Sequence, residues 1–210
     1  MKKAISVLLS VMLLITTISA AMTFTVGASD PDTEPVNLFT DGDFEGLGVG
    51  TDVVSDVFTS EGDTYCTPNE DGWGKSSSWV KAIVSSSYTA HSGINVLECT
   101  NIWNIVSRRI AVETNTDYLL SVWYYVPAGN KVGEIVVTGS DGTSNIPYHE
   151  GALVKDGLTV LGNVNLSAST VEEEWTEVRI SFNSGSLSYV DLHFLAGNFA
   201  NEKKSCCWMI

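Results

Sequence analysis

Three carboxylates stand close together near the start of the chain, in Asp41-Gly-Asp-Phe-Glu-Gly46. Oxygen ligands at alternate positions with a glycine in sixth place are typical of the beginning of a calcium-binding EF-hand loop. Position twelve is Asp52 rather than Glu, and the upstream residues favour a strand, so a helix-loop-helix site is not expected. Glu45 and Asp43 are still candidate calcium ligands, together with loop carbonyls, and the alternative is a solvated turn.

Motifs for nucleophilic, zinc or nucleotide chemistry are absent from the sequence, which has no Gly-x-Ser-x-Gly, His-Glu-x-x-His or phosphate-loop pattern. Gly46-Leu-Gly-Val-Gly50 is better explained as a surface loop than as a nucleotide site. Glycoside hydrolysis needs two facing carboxyl groups, and Glu172-Glu-Glu174 is most simply a solvated turn. No catalysis is expected within this chain.

The net charge of the chain excludes some classes of binding partner. It has 210 residues, with 11 Lys and Arg against 25 Asp and Glu, and a formal net charge of -14. Nucleic acids and anionic lipids would be repelled by such a surface. Neutral ligands, cations and basic macromolecules remain candidate partners.

The first 28 residues are typical of a secretory signal peptide. Lys2 and Lys3 precede an apolar stretch over residues 4–18, and Val26-Gly-Ala28 offers a cleavage site. An uncleaved anchor is the alternative, although Ser and Thr residues dilute the apolar run. The sequence therefore predicts a signal peptide at 1–28, a linker at 29–35, a module at 36–210 that is secreted or on the cell surface, and no membrane contact after cleavage.

Four cysteines allow three disulfide pairings, and export permits any of them. Cys206 and Cys207 are adjacent, and a bridge between neighbours is strained. The open alternatives are a bridge between Cys66 and Cys99 or four unpaired thiols. The cysteine spacing does not match a zinc site.

Runs rich in Val, Ile, Thr, Tyr, Phe and Trp recur along the chain, with turn residues between them. No window has a helical repeat, so the sequence predicts an antiparallel β-sandwich. The predicted strands cover residues 36–45, 79–88, 94–99, 105–112, 117–126, 132–138, 175–183 and 189–195.

Two long segments, 46–75 and 139–157, lack this pattern and are predicted to be functional or mobile loops. Trp208-Met-Ile210 is typical of the middle of a strand. We expect the strand to continue in a longer parent protein.

Four segments together resemble the secreted carbohydrate-binding modules of families four, nine and twenty-two. They are Asn37-Leu-Phe-Thr-Asp-Gly-Asp-Phe-Glu45, His91-Ser-Gly-Ile-Asn-Val-Leu97, Asn115-Thr-Asp-Tyr-Leu-Leu-Ser-Val-Trp-Tyr-Tyr-Val126 and Glu174-Trp-Thr-Glu-Val-Arg-Ile-Ser-Phe182. The resemblance covers residues 36–210. It implies a galactose-binding-like jelly roll, often joined to a glycoside hydrolase, with a structural calcium ion and a sugar groove on one sheet. Glu45 matches the family's first acidic calcium ligand, whereas the family's paired aspartates would lie beyond Ile210.

Strand parity predicts which side chains line that groove, because alternate residues point to opposite faces of a sheet. If Tyr118, Leu120, Val122 and Tyr124 face the core, the opposite positions form an open face. Sugars stack on aromatic rings, and planar polar groups bind their hydroxyls. The predicted ligand-binding residues are Trp123, Tyr125, Arg109, Arg179, Asp191 and His193. The alternative is that Trp123 and Tyr125 only cover the sheet beneath a loop.

The sequence thus predicts a noncatalytic module that holds a linked glycoside hydrolase on a polysaccharide such as β-glucan or xylan. An adhesion or scaffold module and a fragment of a glycan-degrading enzyme are the alternatives. The choice of glycan follows from the resemblance alone.

Overall fold

The structure is a computed structural model. It describes residues 24–26, 36–39, 42–53, 58–60, 63–66, 72–75, 81–100, 104–129, 132–144, 146–149, 152–166, 171–196 and 205–209. This part of the chain contains no helix that is long and apolar enough to cross a membrane.

The described residues form fifteen strands. They are β1 (Phe24–Val26), β2 (Phe58–Ser60), β3 (Asp63–Cys66), β4 (Trp73–Lys75), β5 (Lys81–Ser85), β6 (Val96–Thr100), β7 (Asn104–Ala111), β8 (Asp117–Tyr125), β9 (Val132–Ser140), β10 (Ile146–His149), β11 (Ala152–Leu153), β12 (Val160–Asn165), β13 (Trp175–Asn183), β14 (Tyr189–Ala196) and β15 (Ser205–Met209).

Two antiparallel sheets pack face to face and enclose the main core. The six-stranded sheet has the order β1-β8-β15-β6-β5, with β13 paired to β8, and the five-stranded sheet has the order β12-β9-β14-β7-β4. Leu120 and Tyr124 of the first sheet lie in one buried cluster with Leu192, Phe194 and Ile135 of the second. The predicted β-sandwich is therefore confirmed.

Strand β8 shows how the alternating sequence makes this core. Tyr118, Leu120, Val122 and Tyr124 are buried at 3% exposure or less. Strand β13 pairs with β8 along its whole length, from Trp175 opposite Tyr125 to Asn183 opposite Asp117. Because side chains alternate between the two faces of a strand, the apolar positions of both strands point into the sandwich.

A third layer covers part of the outer face of the five-stranded sheet. It is a four-stranded sheet of order β11-β10-β3-β2, built from segments that the sequence pattern predicts to be loops. Its Ile146 and Leu153 pack on Val136 of β9, with Leu158 and Leu195 beside them. The prediction of two long irregular segments was wrong here, because their short strands carry too few alternating residues to stand out.

The predicted strand over residues 36–45 was also wrong. Among residues 36–39 and 42–53 the structure has turns, bends and isolated bridges instead. The backbone of Phe44 adopts the left-handed conformation, with φ of 58°, which a continuing strand cannot contain. Its ring is fully buried, with its centroid 5.9 Å from that of Trp73.

One edge of β8 is shared by two short strands from distant parts of the sequence. Met209 of β15 lies opposite Trp123. Farther along the same strand, Phe24 of β1 lies opposite Leu120 and Val26 opposite Tyr118. Residues 24–26 fall within the predicted signal peptide, so the predicted cleavage would remove β1.

Cys99 is buried in β6 and carries a free thiol. Burial raises the pKa of that thiol far above its usual range. The possible bridge from Cys66 to Cys99 is therefore wrong, and the side chains of Cys66, Cys206 and Cys207 lie outside the described residues.

Candidate functional site

Three of the described polar residues form a row across the outer face of the five-stranded sheet. Asp191 of β14 is paired in register with Arg109 of β7 on one side and with Thr138 of β9 on the other. The row forms because all three strands alternate with their apolar residues turned toward the sandwich core. It brings together the predicted residues Arg109 and Asp191.

Arg109 and Asp191 form a two-point ion pair. Arg109 Nε donates to Asp191 Oδ1 at 2.8 Å, and Arg109 Nη2 donates to Asp191 Oδ2 at 2.9 Å. Arg109 Nη2 also donates to the backbone carbonyl of Ser144 at 2.7 Å. Burial raises the pKa of Asp191, although the hydrogen bonds from Arg109 oppose that shift. The geometry fixes the planes of both groups.

His193 lies one row deeper and is fully buried. Its Nδ1 is 2.8 Å from Ser107 Oγ, and its Nε2 is 2.8 Å from Thr138 Oγ1. Burial lowers the pKa of His193 to about 3, so the ring is neutral near pH 7. His193 thus contacts Thr138 from the neighbouring row on the same face and does not reach the surface.

A cavity of about 250 Å³ lies over the row, and we call it the Arg109 pocket. Its floor is Arg109, Asp191 and Thr138. Its apolar wall is formed by Ile146, Pro147, Leu158 and Leu187, and its polar rim includes Asp141, Ser144 and Thr159.

The loop after β9 gives the rim a fixed shape. Asp141 Oδ1 accepts hydrogen bonds from the backbone N–H groups of Thr143 at 2.8 Å and Ser144 at 2.7 Å, and Asp141 Oδ2 accepts one from Ser144 Oγ at 2.6 Å. These hydrogen bonds hold the pKa of Asp141 well below its usual range. The sequence predicts only that this loop belongs to the irregular segment 139–157, because nothing local indicates that it borders Arg109.

The other predicted ligand-binding residues do not join this pocket. Trp123 and Tyr125 lie on β8 and Arg179 on β13, both in the six-stranded sheet. The expectation that all six residues share one face was therefore wrong, since their strands belong to different sheets. The ligand-binding roles of Trp123, Tyr125 and Arg179 stay predictions.

Trp123 and Tyr125 belong to an aromatic cluster that lies between the six-stranded sheet and the loop that joins β5 to β6. The aromatic cluster consists of Tyr88, His91, Trp123, Tyr125 and Trp175. Tyr125 lies 5.8 Å from Tyr88 and 5.5 Å from Trp175 between ring centroids. Trp175 Nε1 donates to the carbonyl of Thr89 at 2.9 Å and ties the loop down.

A polar group adjoins the cluster on the same face. Glu177, opposite Trp123 in register, accepts hydrogen bonds from Ser121 Oγ at 2.7 Å and Arg179 Nε at 2.8 Å. Arg179 is largely exposed, with 64% of its side chain accessible. The hydrogen bond from Arg179 is the main cause that lowers the pKa of Glu177.

The predicted calcium ligands lie in a loop of their own. Glu45 Oε1 accepts hydrogen bonds from the backbone N–H groups of Ile94 at 2.7 Å and Asn95 at 2.8 Å. The φ of 63° at Gly93 favours glycine beside it, where a Cβ would also meet the Glu45 carboxylate. Asp43 Oδ1 accepts from the Glu45 N–H at 3.2 Å.

One observation at this loop suits a hard cation. Asn95 donates through Nδ2 to the Phe44 carbonyl at 3.1 Å, while its Oδ1 is buried without a hydrogen-bond partner among the described residues. An amide oxygen beside a carboxylate is a usual part of a calcium ligand set. The described residues do not, however, contain a cluster of three or more acidic, His or Cys side chains able to hold a metal.

Comparison with known proteins gives distant structural likenesses. No protein-family model matches the chain, and there is no significant match among curated proteins. The CBM22-1-CBM22-2 tandem domain of Xyn10C from Paenibacillus barcinonensis is 16% identical, with a TM-score of 0.45 over 79% of this chain and 44% of that one. This chain thus spans less than half of that structure.

Two further structures cover most of both chains. TmCBM61, solved in complex with β-1,4-galactotriose, is 13% identical, with a TM-score of 0.43 over 83% of this chain and 94% of that one. The K2 cleaved adhesin domain of Lys-gingipain is 17% identical, with a TM-score of 0.44 over 80% and 94%.

Proposed function

We propose that this protein is an exported, noncatalytic carbohydrate-binding module, and that the Arg109 pocket is its sugar site. The pocket itself carries the proposal. A two-point ion pair forms its floor, and four apolar side chains form its wall. Fixed polar groups beside apolar surface are what a sugar ring requires, because each ring has hydroxyls at its edge and C–H groups on its faces.

Arg109 and Asp191 are the residues proposed to orient sugar hydroxyls. Because Arg109 and Asp191 already hold each other in place, little side-chain conformational freedom is lost when a ligand binds. Thr138 is held by His193 in the same way. A preformed polar floor of this kind favours binding without rearrangement of the sheet.

Catalysis at this pocket is less well supported than binding. A glycosidase requires one carboxyl group that can donate its proton and a second that can act as a base or nucleophile. Both oxygens of Asp191 accept from Arg109, and Asp141 is engaged by Thr143 and Ser144. Neither carboxyl group is therefore free to donate a proton to a substrate.

Three further parts of the proposal come from the sequence. They are export after cleavage near Ala28, a linked glycoside hydrolase in a longer parent protein, and a β-glucan or xylan as the glycan. A structural calcium ion is proposed separately, held by the Glu45 carboxylate and Asn95 Oδ1 and supported by Asp43. Bound there, the ion would tie the Glu45 loop to the start of β6.

A glycan array followed by isothermal titration tests the function. The proposal expects saturable binding to neutral plant glycans and loss of that binding in Arg109→Met, provided that circular dichroism shows the variant to be folded. Absence of binding to every glycan would contradict it and favour the adhesion or scaffold alternative.

A further inference from the structure

The Arg109 pocket is closed at one end by the third layer of the fold. Beyond the row of Arg109, Asp191 and Thr138, the next row on the same face contains Ser107, His193 and Val136. Ser107, His193 and Val136 are each 0% exposed. A ligand lying on the pocket floor cannot continue across them.

An apolar cluster seals this end. Val136 packs with Ile146 and Leu153 of the four-stranded sheet, and Leu158 and Leu195 pack against them. Ile146 and Leu158 also line the pocket. The same side chains therefore form the pocket wall and the seal behind it.

The opposite end is open. The row on that side consists of Ala111, Tyr189 and Ser140, joined in register through Tyr189. Tyr189 is 38% exposed, and its ring lies against Gly142, where an added Cβ would collide with it. The pocket is thus open on this side, where the Tyr189 ring lies.

The pocket volume limits what can enter. The volume of the pocket is about 250 Å³. Pockets that enclose drug-sized ligands occupy about 300–1,000 Å³. One sugar ring fits the space.

The charge of the residues that line the pocket determines which sugars can bind there. Within the described lining, Arg109 is the one cation, and Asp141 and Asp191 are the anions. Arg109 is already neutralised by Asp191, so the remaining charge is negative, in line with the net charge of -14 of the whole chain. Uronic acids and sulfated sugars would be repelled.

We infer that the Arg109 pocket holds the terminal residue of a neutral glycan, with the rest of the chain leaving past Tyr189. This inference rests on the proposed carbohydrate-binding function. It adds that the module recognises the ends of chains, not internal stretches.

Titration with mono-, di-, tetra- and hexasaccharides of β-1,4-linked xylose and glucose tests the inference. Affinity should stop rising at the disaccharide, and the capacity of a polysaccharide should follow its number of ends. Reduced oligosaccharides, whose reducing end is an open alditol, distinguish the two ends of the chain. A gain of about tenfold or more from di- to hexasaccharide would overturn the inference while leaving the proposed function standing.

A matched pair of variants locates the site. Thr159→Trp fills the pocket rim and should lower affinity by about tenfold or more, whereas Val171→Trp, at an exposed residue outside the lining, should leave it unchanged. Equal affinity in both variants would place the sugar elsewhere and overturn the inference. No binding by the unaltered chain to any glycan would instead refute the proposed function.

Discussion

The imidazole ring of His91 stacks on the indole ring of Trp123, with centroids 3.7 Å apart and planes 17° apart. His91 comes from the loop between β5 and β6, and Trp123 lies near the end of β8. The stack occupies one face of the indole, which a sugar would need for stacking. The aromatic cluster lies on the six-stranded sheet, whereas the Arg109 pocket lies on the five-stranded sheet.

Replacing Trp123 with Ala should lower stability and leave sugar affinity unchanged. The change removes a half-buried ring that contacts His91, and we expect a loss of roughly 2 kcal/mol in the free energy of unfolding. Tyr124→Ala, at a fully buried neighbour, should cost more. Urea unfolding and titration with a bound oligosaccharide check both. A loss of about 1–3 kcal/mol in binding free energy, with stability unchanged, would show that Trp123 is part of the sugar site.

Replacing Arg109 with Met should destabilise the fold by about 3–5 kcal/mol, because it leaves the buried Asp191 carboxylate without its partner. The double variant Arg109→Met, Asp191→Leu should recover most of this loss, since no unpaired charge remains. Chemical denaturation of both single variants and the double variant gives the coupling energy. Additive losses would show that the two residues do not stabilise each other.

Acidification should destabilise the protein through His193. The unfolded chain protonates this residue near the ordinary value of 6.5, and the folded chain resists protonation down to about 3. Between these values the unfolded state binds more protons, so stability falls as the pH is lowered, by up to about 1.4 kcal/mol per pH unit. Unfolding curves from pH 7 to 4 should be less pH-dependent in His193→Gln. Equal dependence in both proteins would contradict the neutral, buried state of His193.

Calcium should raise the melting temperature if the Glu45 loop binds it, because the ion would bind the native state alone. Glu45→Gln is the matched variant, since its amide oxygen can still accept from Ile94 and Asn95 but carries no charge. The calcium-dependent shift should disappear in this variant, with its melting temperature in chelator near that of the unaltered protein. An undiminished shift in Glu45→Gln would place any calcium site elsewhere.

Export should remove the chain through about Ala28 and with it β1. The backbone of Tyr118, Leu119 and Leu120 then loses its partner along that edge of β8. Intact-mass measurement of secreted protein should find a new terminus near Ser29, and hydrogen exchange should be faster than in the uncleaved chain at those amides of this stretch that point toward β1. Membrane-bound protein that retains Met1 would favour the tethered alternative instead.

The sequence by itself determined the class of fold and the inner face of its long strands. The predicted strand 117–126 matches β8 to within one residue, and the buried positions Tyr118, Leu120, Val122 and Tyr124 are those that parity indicates. This success has a local cause, because alternation within one strand needs no knowledge of its neighbours. The short strands of the third layer lack that signal.

Tertiary structure alone decided which outward-facing residues meet. Parity places Trp123 and Asp191 outside the core, but it does not state which sheet each strand joins. Pairing of β14 with both β7 and β9 brings Asp191 between Arg109 and Thr138, whereas pairing of β8 with β13 puts Trp123 on the other sheet. Such pairings join residues far apart in the sequence through backbone hydrogen bonds, which side-chain patterns do not specify.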